Sequence, residues 1–201
     1  MTYNFDEIID RRNTNSENVE GWRPYIFHCG PERVFPYKDE EFIRMWVADM
    51  EFAVAPEILQ AITDRVDRRI LGYTLVYDKG YYEALRAWCE SRYGWSFPKE
   101  QLTFSPGVIP ALYQLTEDLV KPLNGKVLTM TPAYGFFLHA CEYNGVELVT
   151  SPLREENGRF SVDWEDLEAK AADPDVKLLM LCNPHNPTGR IWTCLLYTSP
   201  S

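Results

Sequence analysis

Apolar positions recur along this chain in two rhythms. Between residues 56 and 94 the rhythm is helical. In "APEILQAITDRVDRRI", Leu59, Ile62, Val66 and Ile70 fall at helical spacing, and Pro56 suits a first helical turn. "GYT" (72–74) breaks that pattern. "DKGYYEALRAWCESRYG" predicts a second helix with Tyr82, Leu85, Trp88 and Tyr93 on or near one face and Gly94 as its stop. From residue 100 onward, short apolar runs alternate with helical stretches. "QLTFS", "KVLTMT" (126–131), "VELVTSPL" and "VKLLMLC" predict strands. Between them, "PGVIPALYQLTEDLVKPL", "PAYGFFLHACEYNG" (closed by Gly145) and "VDWEDLEAKAAD" (Asp163 near its start) predict helices. Strands separated by helices of this length pair in parallel through crossovers, so the expected fold is α/β with an open, mostly parallel sheet. Residues 1–45 are polar and interrupted by Asn, Gly and Pro, and read as an arm.

In such sheets ligands sit outside the carboxyl ends of the strands. Three segments with chemical potential follow predicted strand ends: "SPGVIPAL", "TPAYGFF" and "CNPHNPTG". They are expected to converge on one crevice.

Composition narrows the class. Of 201 residues, 45% are hydrophobic and 25% charged, which fits a globular chain. Acids outnumber bases 30 to 20, a formal charge of −10, which argues against a nucleic-acid or anionic-membrane partner. "MTYNFDEIIDRR" has no signal-peptide character, and no apolar run approaches the ~20 residues that span a bilayer. The five Cys (29, 89, 141, 182, 194) form no C-x-x-C pair and read as reduced thiols of a cytoplasmic protein. His28, His139 and His185 are too dispersed to suggest a metal site.

Each candidate segment has two readings. Gly107 at a strand-to-helix turn lets a phosphate approach the free amides of a helix start; it also suits a turn that needs only glycine's φ. Neither G-x-G-x-x-G nor G-x-x-x-x-G-K-[ST] is present, which argues against a dinucleotide or nucleoside triphosphate. Tyr134 is a stacking platform for a flat ring or a core aromatic at a helix start. Asn183 and Asn186 stand on a loop stiffened by Pro184 and Pro187, able to aim an amide at a ligand or simply to turn the chain. Together, an anion cradle, a flat aromatic and a rigid amide suit a flat aromatic phosphate such as pyridoxal phosphate.

The order "PGVIPAL", "PAY", "NPHNPTGR" resembles the fold-type I pyridoxal-phosphate enzymes, the aminotransferase superfamily. With "WVADMEF", "GYT", "PLREENGRFSVDWEDLE" and "LCNPHNPTGRIWT", residues 3 to about 193 look more narrowly like the cystathionine β-lyase (C–S lyase) branch. Departures are Glu51 where Asp is usual, "SENVE" without a Lys-Trp pair, and Gly135 in place of Pro. The resemblance implies pyridoxal 5'-phosphate as cofactor, with Val108 and Ile109 offering amides to its phosphate beside Gly107. Tyr134 would stack on the pyridine ring, and Asn186 would donate to its phenolic oxygen and face the substrate. Ala48 would lie in the strip that approaches the substrate carboxylate. Tyr73 would reach the phosphate of a partner subunit in a homodimer. The implied reaction splits a sulfur-containing amino acid, a cysteine S-conjugate, into thiol, pyruvate and ammonia. An aminotransferase, or a catalytically inactive regulatory protein on the same scaffold, shares every contact visible here.

The family also needs a Schiff-base Lys, an Asp for the pyridinium nitrogen and a distant Arg, all after the "NPHNPTGRIWT" loop. Lys99 of "SFPK" precedes the phosphate turn and is not that lysine. No catalytic residue is therefore expected within this chain, which reads as an N-terminal fragment with no activity of its own. Residues 1–99 are expected to form arm, helices and dimer contacts, and 100–193 the first half of a cofactor-binding domain. Residues 194–201, "CLLYTSPS", read as a non-native tail.

Overall fold

A computed structural model of the chain describes residues 3–75 and 78–193. The non-native tail inferred at 194–201 lies outside the described residues. The chain forms two compact units, Met1–Asp78 and Lys79–Ser201. The division falls before the change of rhythm at residue 100, so the second predicted helix groups with the sheet.

In the first unit, two short helices, α1 (Glu17–Glu20) and α2 (Trp22–Ile26), precede α3 (Pro56–Val66). Its centre is aromatic. Trp22 is buried, with ring centroids of Phe42, Phe35 and Phe27 at 5.0, 5.4 and 5.9 Å. The Arg23 guanidinium lies 4.5 Å from the Trp22 centroid and also binds Asp39 at 2.6 Å. Of the stripe predicted there, Leu59, Ile62 and Val66 lie on α3, which ends before Ile70, and all four remain exposed.

The second unit opens with α4 (Lys79–Tyr93), which stops before Gly94 at φ 62°. Its inward face differs from the predicted one. Cys89 is buried and Tyr82 and Leu85 half-buried, whereas Trp88 and Tyr93 are exposed. The Tyr82 hydroxyl donates to the Phe97 carbonyl at 2.7 Å and so pins the following segment. "QLTFS" is not a strand: Leu102 has extended backbone (φ −94°, ψ 122°), but no strand pairs with it among the described residues. Then come α5 (Val108–Leu115), a π-helical turn over Thr116–Val120, β1 (Lys126–Thr131), α6 (Gly135–Asn144) and β2 (Glu147–Pro152). A hairpin of β3 (Arg154–Glu156) and β4 (Arg159–Ser161) follows, turning at Asn157–Gly158, and then α7 (Trp164–Ala171) and β5 (Val176–Met180). The caps are those the sequence indicates. Gly145 closes α6 in the left-handed region (φ 66°), and the Asp163 carboxylate accepts from the Asp166 amide at the start of α7.

The sheet runs β2–β1–β5, all parallel, with Lys126 opposite both Glu147 and Val176. Central β1 is covered on both faces, which explains its continuous apolar run. Val127 joins Val120, Phe137, Cys141 and Met180 in one cluster. Leu128 and Met130 join Leu167 and Trp192 in the other. The one polar residue inside the strand, Thr129, is satisfied by donating to the Met180 carbonyl at 2.9 Å.

Candidate functional site

Because β1 and β5 are parallel neighbours, whatever follows them emerges at the same sheet edge. Tyr134 follows β1 as the N-cap of α6 (φ −62°, ψ 123°). It is half-buried and packs on the cluster around Val127 and Phe137. Phe136 lies 5.3 Å from it, tilted, and Phe137 lies 6.1 Å from it, edge-on. These neighbours fix the plane of the ring and leave part of it open. Cys182, which leads into the "NPHNPTG" loop, packs on that same cluster, and so does Leu112 of α5. The helix that starts at Gly107, the Tyr134 turn and the loop after β5 thus share one supporting core.

Gly107 is the N-cap of α5. Its backbone is extended (φ 166°, ψ 171°), a conformation any residue adopts. A Cβ there would meet within 4 Å only Pro110 Cδ, at 3.6 Å, an ordinary contact. Neither φ nor packing among the described residues therefore calls for glycine. The φ reading is thereby removed, and the missing Cβ leaves room for close approach at this helix start. Val108 and Ile109 are the first residues of the helix, so their N–H groups have no intrahelical acceptor, and Pro110 has no N–H to offer. Val108 is exposed and Ile109 half-buried. Two free donors at the positive end of a helix dipole suit a phosphate.

The loop after β5 sorts its two amides. Asn183 is structural: its Oδ1 accepts from the Trp192 amide at 3.1 Å, while the Trp192 indole N–H donates to the Cys182 carbonyl at 2.9 Å. His185, at 3% exposure, fills the loop's interior. Its ring lies edge-on to Trp192 at 5.2 Å, and its Nδ1 meets Thr188 Oγ1 at 2.8 Å. Backbone bonds from Gly189 N to the His185 carbonyl and from His185 N to the Arg190 carbonyl, both 2.7 Å, close the turn. Burial depresses the His185 pKa, so the ring is held neutral. The Asn183–Pro184 and Asn186–Pro187 peptides are both cis. With the loop so tied down, Asn186 is exposed, and its amide makes no protein hydrogen bond among the described residues. His185 and Trp192 are the residues that sequence reasoning missed. Their signal was a histidine between two Asn-Pro steps, followed by an isolated Ile-Trp pair.

Ala48 and Tyr73 belong to the first unit, and both are exposed, Tyr73 fully. Cys29, Cys89, Cys141 and Cys182 are free thiols. Burial pushes the Cys141 thiol up to about 11, which makes it inert. Among the described residues no helix is long and apolar enough to cross a membrane.

Comparisons with known proteins give the family. The family model for aminotransferase class I and II matches residues 40–197. The chain is 42% identical over 149 residues to cystathionine beta-lyase PatB of Bacillus subtilis, covering 74% of this chain and 38% of that protein. It is 27% identical over 192 residues to protein MalY of Escherichia coli, covering 96% and 46%. The PLP-bound C-S lyase from Staphylococcus hominis superposes with a TM-score of 0.82 at 43% identity, over 96% of this chain and 46% of that one. The chain thus spans less than half the length of these relatives, and its three-stranded sheet is part of a fold-type I domain. With the family model matched over most of its length, the chain belongs to the aminotransferase class I and II family.

Proposed function

We propose that the full-length protein carrying this chain is a pyridoxal-phosphate-dependent C–S β-lyase, which splits a sulfur-containing amino acid into thiol, pyruvate and ammonia. The observation that carries the proposal is Gly107. It is a glycine that neither φ nor packing requires, and it stands beside two free helix-start amides on the core that also supports Tyr134 and the Asn186 loop. The names of the relatives, a cystathionine beta-lyase and a PLP-bound C-S lyase, favour this branch over an aminotransferase.

Pyridoxal phosphate, when bound, supplies an electron sink for negative charge at the substrate's α-carbon. This chain's residues hold and tune it. The Val108 and Ile109 amides bind the phosphate, aided by the α5 dipole. Tyr134 stacks on the ring and fixes its plane. Asn186 donates to the phenolic oxygen and favours its ionised form. Ala48 lies against the substrate's carboxylate. Tyr73, fully exposed, reaches the phosphate of a second subunit, so the active form is a homodimer. Residues 1–99 supply arm, helices and dimer contacts, and 100–193 the first half of the cofactor domain. We place the protein in the cytoplasm on its reduced cysteines.

The test is to reconstitute the full-length protein with pyridoxal phosphate and assay a cysteine S-conjugate. Pyruvate and thiol should form in equal amounts without an added keto acid. Turnover that requires a keto acid acceptor would make it an aminotransferase instead, and neither product would leave a regulatory protein. In the same protein, Asn186→Ala should move the midpoint of the cofactor's absorbance-versus-pH curve upward, and an unchanged midpoint removes the role assigned to that amide. Active monomers at high dilution would remove the role of Tyr73.

A further inference from the structure

The strip that carries Ala48 is ordered without secondary structure. Residues 43–54 make no backbone–backbone hydrogen bond among the described residues, and neither helix nor strand is assigned to them. What places them is side chains, and the main partners come from the N-terminal arm. Trp46 packs on Tyr25 with centroids 5.1 Å apart. Phe52 meets Phe5 edge-on at 5.2 Å. Between these two aromatic anchors lies Asp49, directly after Ala48, and it is gripped at both oxygens. The Arg11 guanidinium binds Oδ2, and the Asn18 amide donates to Oδ1 at 2.5 Å.

The two grips are themselves fixed. Asn18 sits on α1 at 3% exposure. The loop that carries Arg11 is tied by Thr14 Oγ1 donating to the Arg11 carbonyl at 2.6 Å and by the Asn13 amide donating to the Glu20 carboxylate at 2.5 Å. Arg11 Nη1 and Asn18 Oδ1 are buried without a further partner. Buried polar atoms left unsatisfied cost free energy.

We propose that Arg11 and Asn18 are positioning residues, which set the place of Ala48 through Asp49 and so set the fit of the substrate's carboxylate. The proposal rests on the reading that Ala48 faces that carboxylate, and the experiment separates the two.

In the full-length protein loaded with cofactor, Arg11→Ala and Asn18→Ala are compared with the unmodified protein by three measurements. These are the rate of tryptic cleavage after Arg44, steady-state kinetics on a cysteine S-conjugate, and cofactor content by absorbance. The expected result for Arg11→Ala is cleavage about ten-fold faster, as the strip opens locally, and a KM about five-fold higher, with kcat within about two-fold and cofactor content unchanged. Asn18→Ala, which leaves the ion pair, should show the same pattern at smaller amplitude. If Arg11→Ala does not fold, Asp49→Asn weakens the same contact with almost no change of shape and gives the same reading. Cleavage at the original rate overturns the proposal. Faster cleavage with KM unchanged keeps the clamp and removes Ala48 from the substrate site. A loss of cofactor overturns the positioning role, because the arm would then be serving the cofactor.

Discussion

The two units of the chain contain similar proportions of large apolar side chains but use them in opposite ways. In Lys79–Ser201 a buried set is stacked on both faces of a hydrogen-bonded strand, and Val127 and Leu128 have no exposure at all. In Met1–Asp78 the aliphatic residues mostly stay outside. Ile8, Val34, Ile43, Ile62 and Leu71 are all more than half exposed, and order comes from rings, guanidinium groups and carboxylates meeting one at a time. A ladder fixes its residues cooperatively, whereas point contacts fix only the residues they touch. The cofactor contacts proposed above therefore stand on a cooperatively fixed frame, whereas the strip in the arm unit is held by single side chains.

The sharpest way to break the comparison is in the core. Leu128→Ala should destabilise the sheet unit by about 2–5 kcal/mol, because a fully buried leucine leaves a cavity between β1 and α7. Urea unfolding followed by circular dichroism checks it. A loss below about 1 kcal/mol would mean that the core around Leu128 collapses onto the gap and is looser than its burial implies.

The next effect is on ligand retention. Tyr134 is held by the same core but is only half-buried, so Tyr134→Ala should weaken cofactor binding in the full-length protein by about 0.5–1.5 kcal/mol beyond the lost contact area. Equilibrium dialysis of the cofactor reads it. An unchanged affinity would make Tyr134 a packing residue only.

The difference between the units also explains what was legible in the sequence. β1, β2, β5, α6 and α7 could be read because each carries its own period and cap, such as Gly145 and Asp163, and their order alone implied a parallel sheet. "QLTFS" has strand composition, but a strand is a pairing, and among the described residues nothing pairs with it. Trp88 and Tyr93 looked like core residues by size, yet the inward stripe runs through Tyr82, Leu85 and Cys89. The β3–β4 hairpin was overlooked although Asn157–Gly158 is a strong turn signal; its strands are three residues each, too short to show alternation. Asn183 and Asn186 were indistinguishable in sequence, because which amide is bonded within the loop depends on where the fold puts Trp192. The contacts within the arm were not legible for a physical reason: partners such as Arg11 and Asp49 are remote in sequence and follow no period.

A third prediction concerns acid. His185 is neutral in the folded loop, with its pKa depressed by burial, while the unfolded chain protonates near the ordinary value of 6.5. The unfolded state therefore takes up the proton first. The contribution of His185 is fully present above about pH 6.5 and is lost as pH falls through that value toward the lower folded one. Stability of the sheet unit, measured by urea midpoint from pH 7.5 down to about 5, should fall, and His185→Gln should flatten that slope while lowering the plateau. An unchanged slope in His185→Gln would assign the acid sensitivity to other groups.

The smallest expected effect sharpens the comparison most, because it uses the same chemistry in the other setting. Ile62 lies in the middle of α3, on the stripe with Leu59 and Val66, at 56% exposure. In the chain as it stands, Ile62→Ala removes little buried surface, and alanine is the better helix former, so the expected change is within about 0.5 kcal/mol and of either sign. The same substitution in the full-length protein has a different expectation if the stripe is covered there, by later residues or by a second subunit. Burial of the isoleucine would then raise the cost to about 2–5 kcal/mol, close to that of Leu128→Ala. Measuring Ile62→Ala in both chain lengths, by urea midpoint at two protein concentrations, separates the cases. A cost that appears only in the longer protein and does not vary with concentration assigns the cover to the same chain. A cost that grows as the protein is concentrated assigns it to a partner subunit, since only then is stability linked to association. No cost in either would leave α3 a surface helix whose apolar stripe is uncovered in both, and the contrast between the two units would then hold for the full-length protein as it does for this chain.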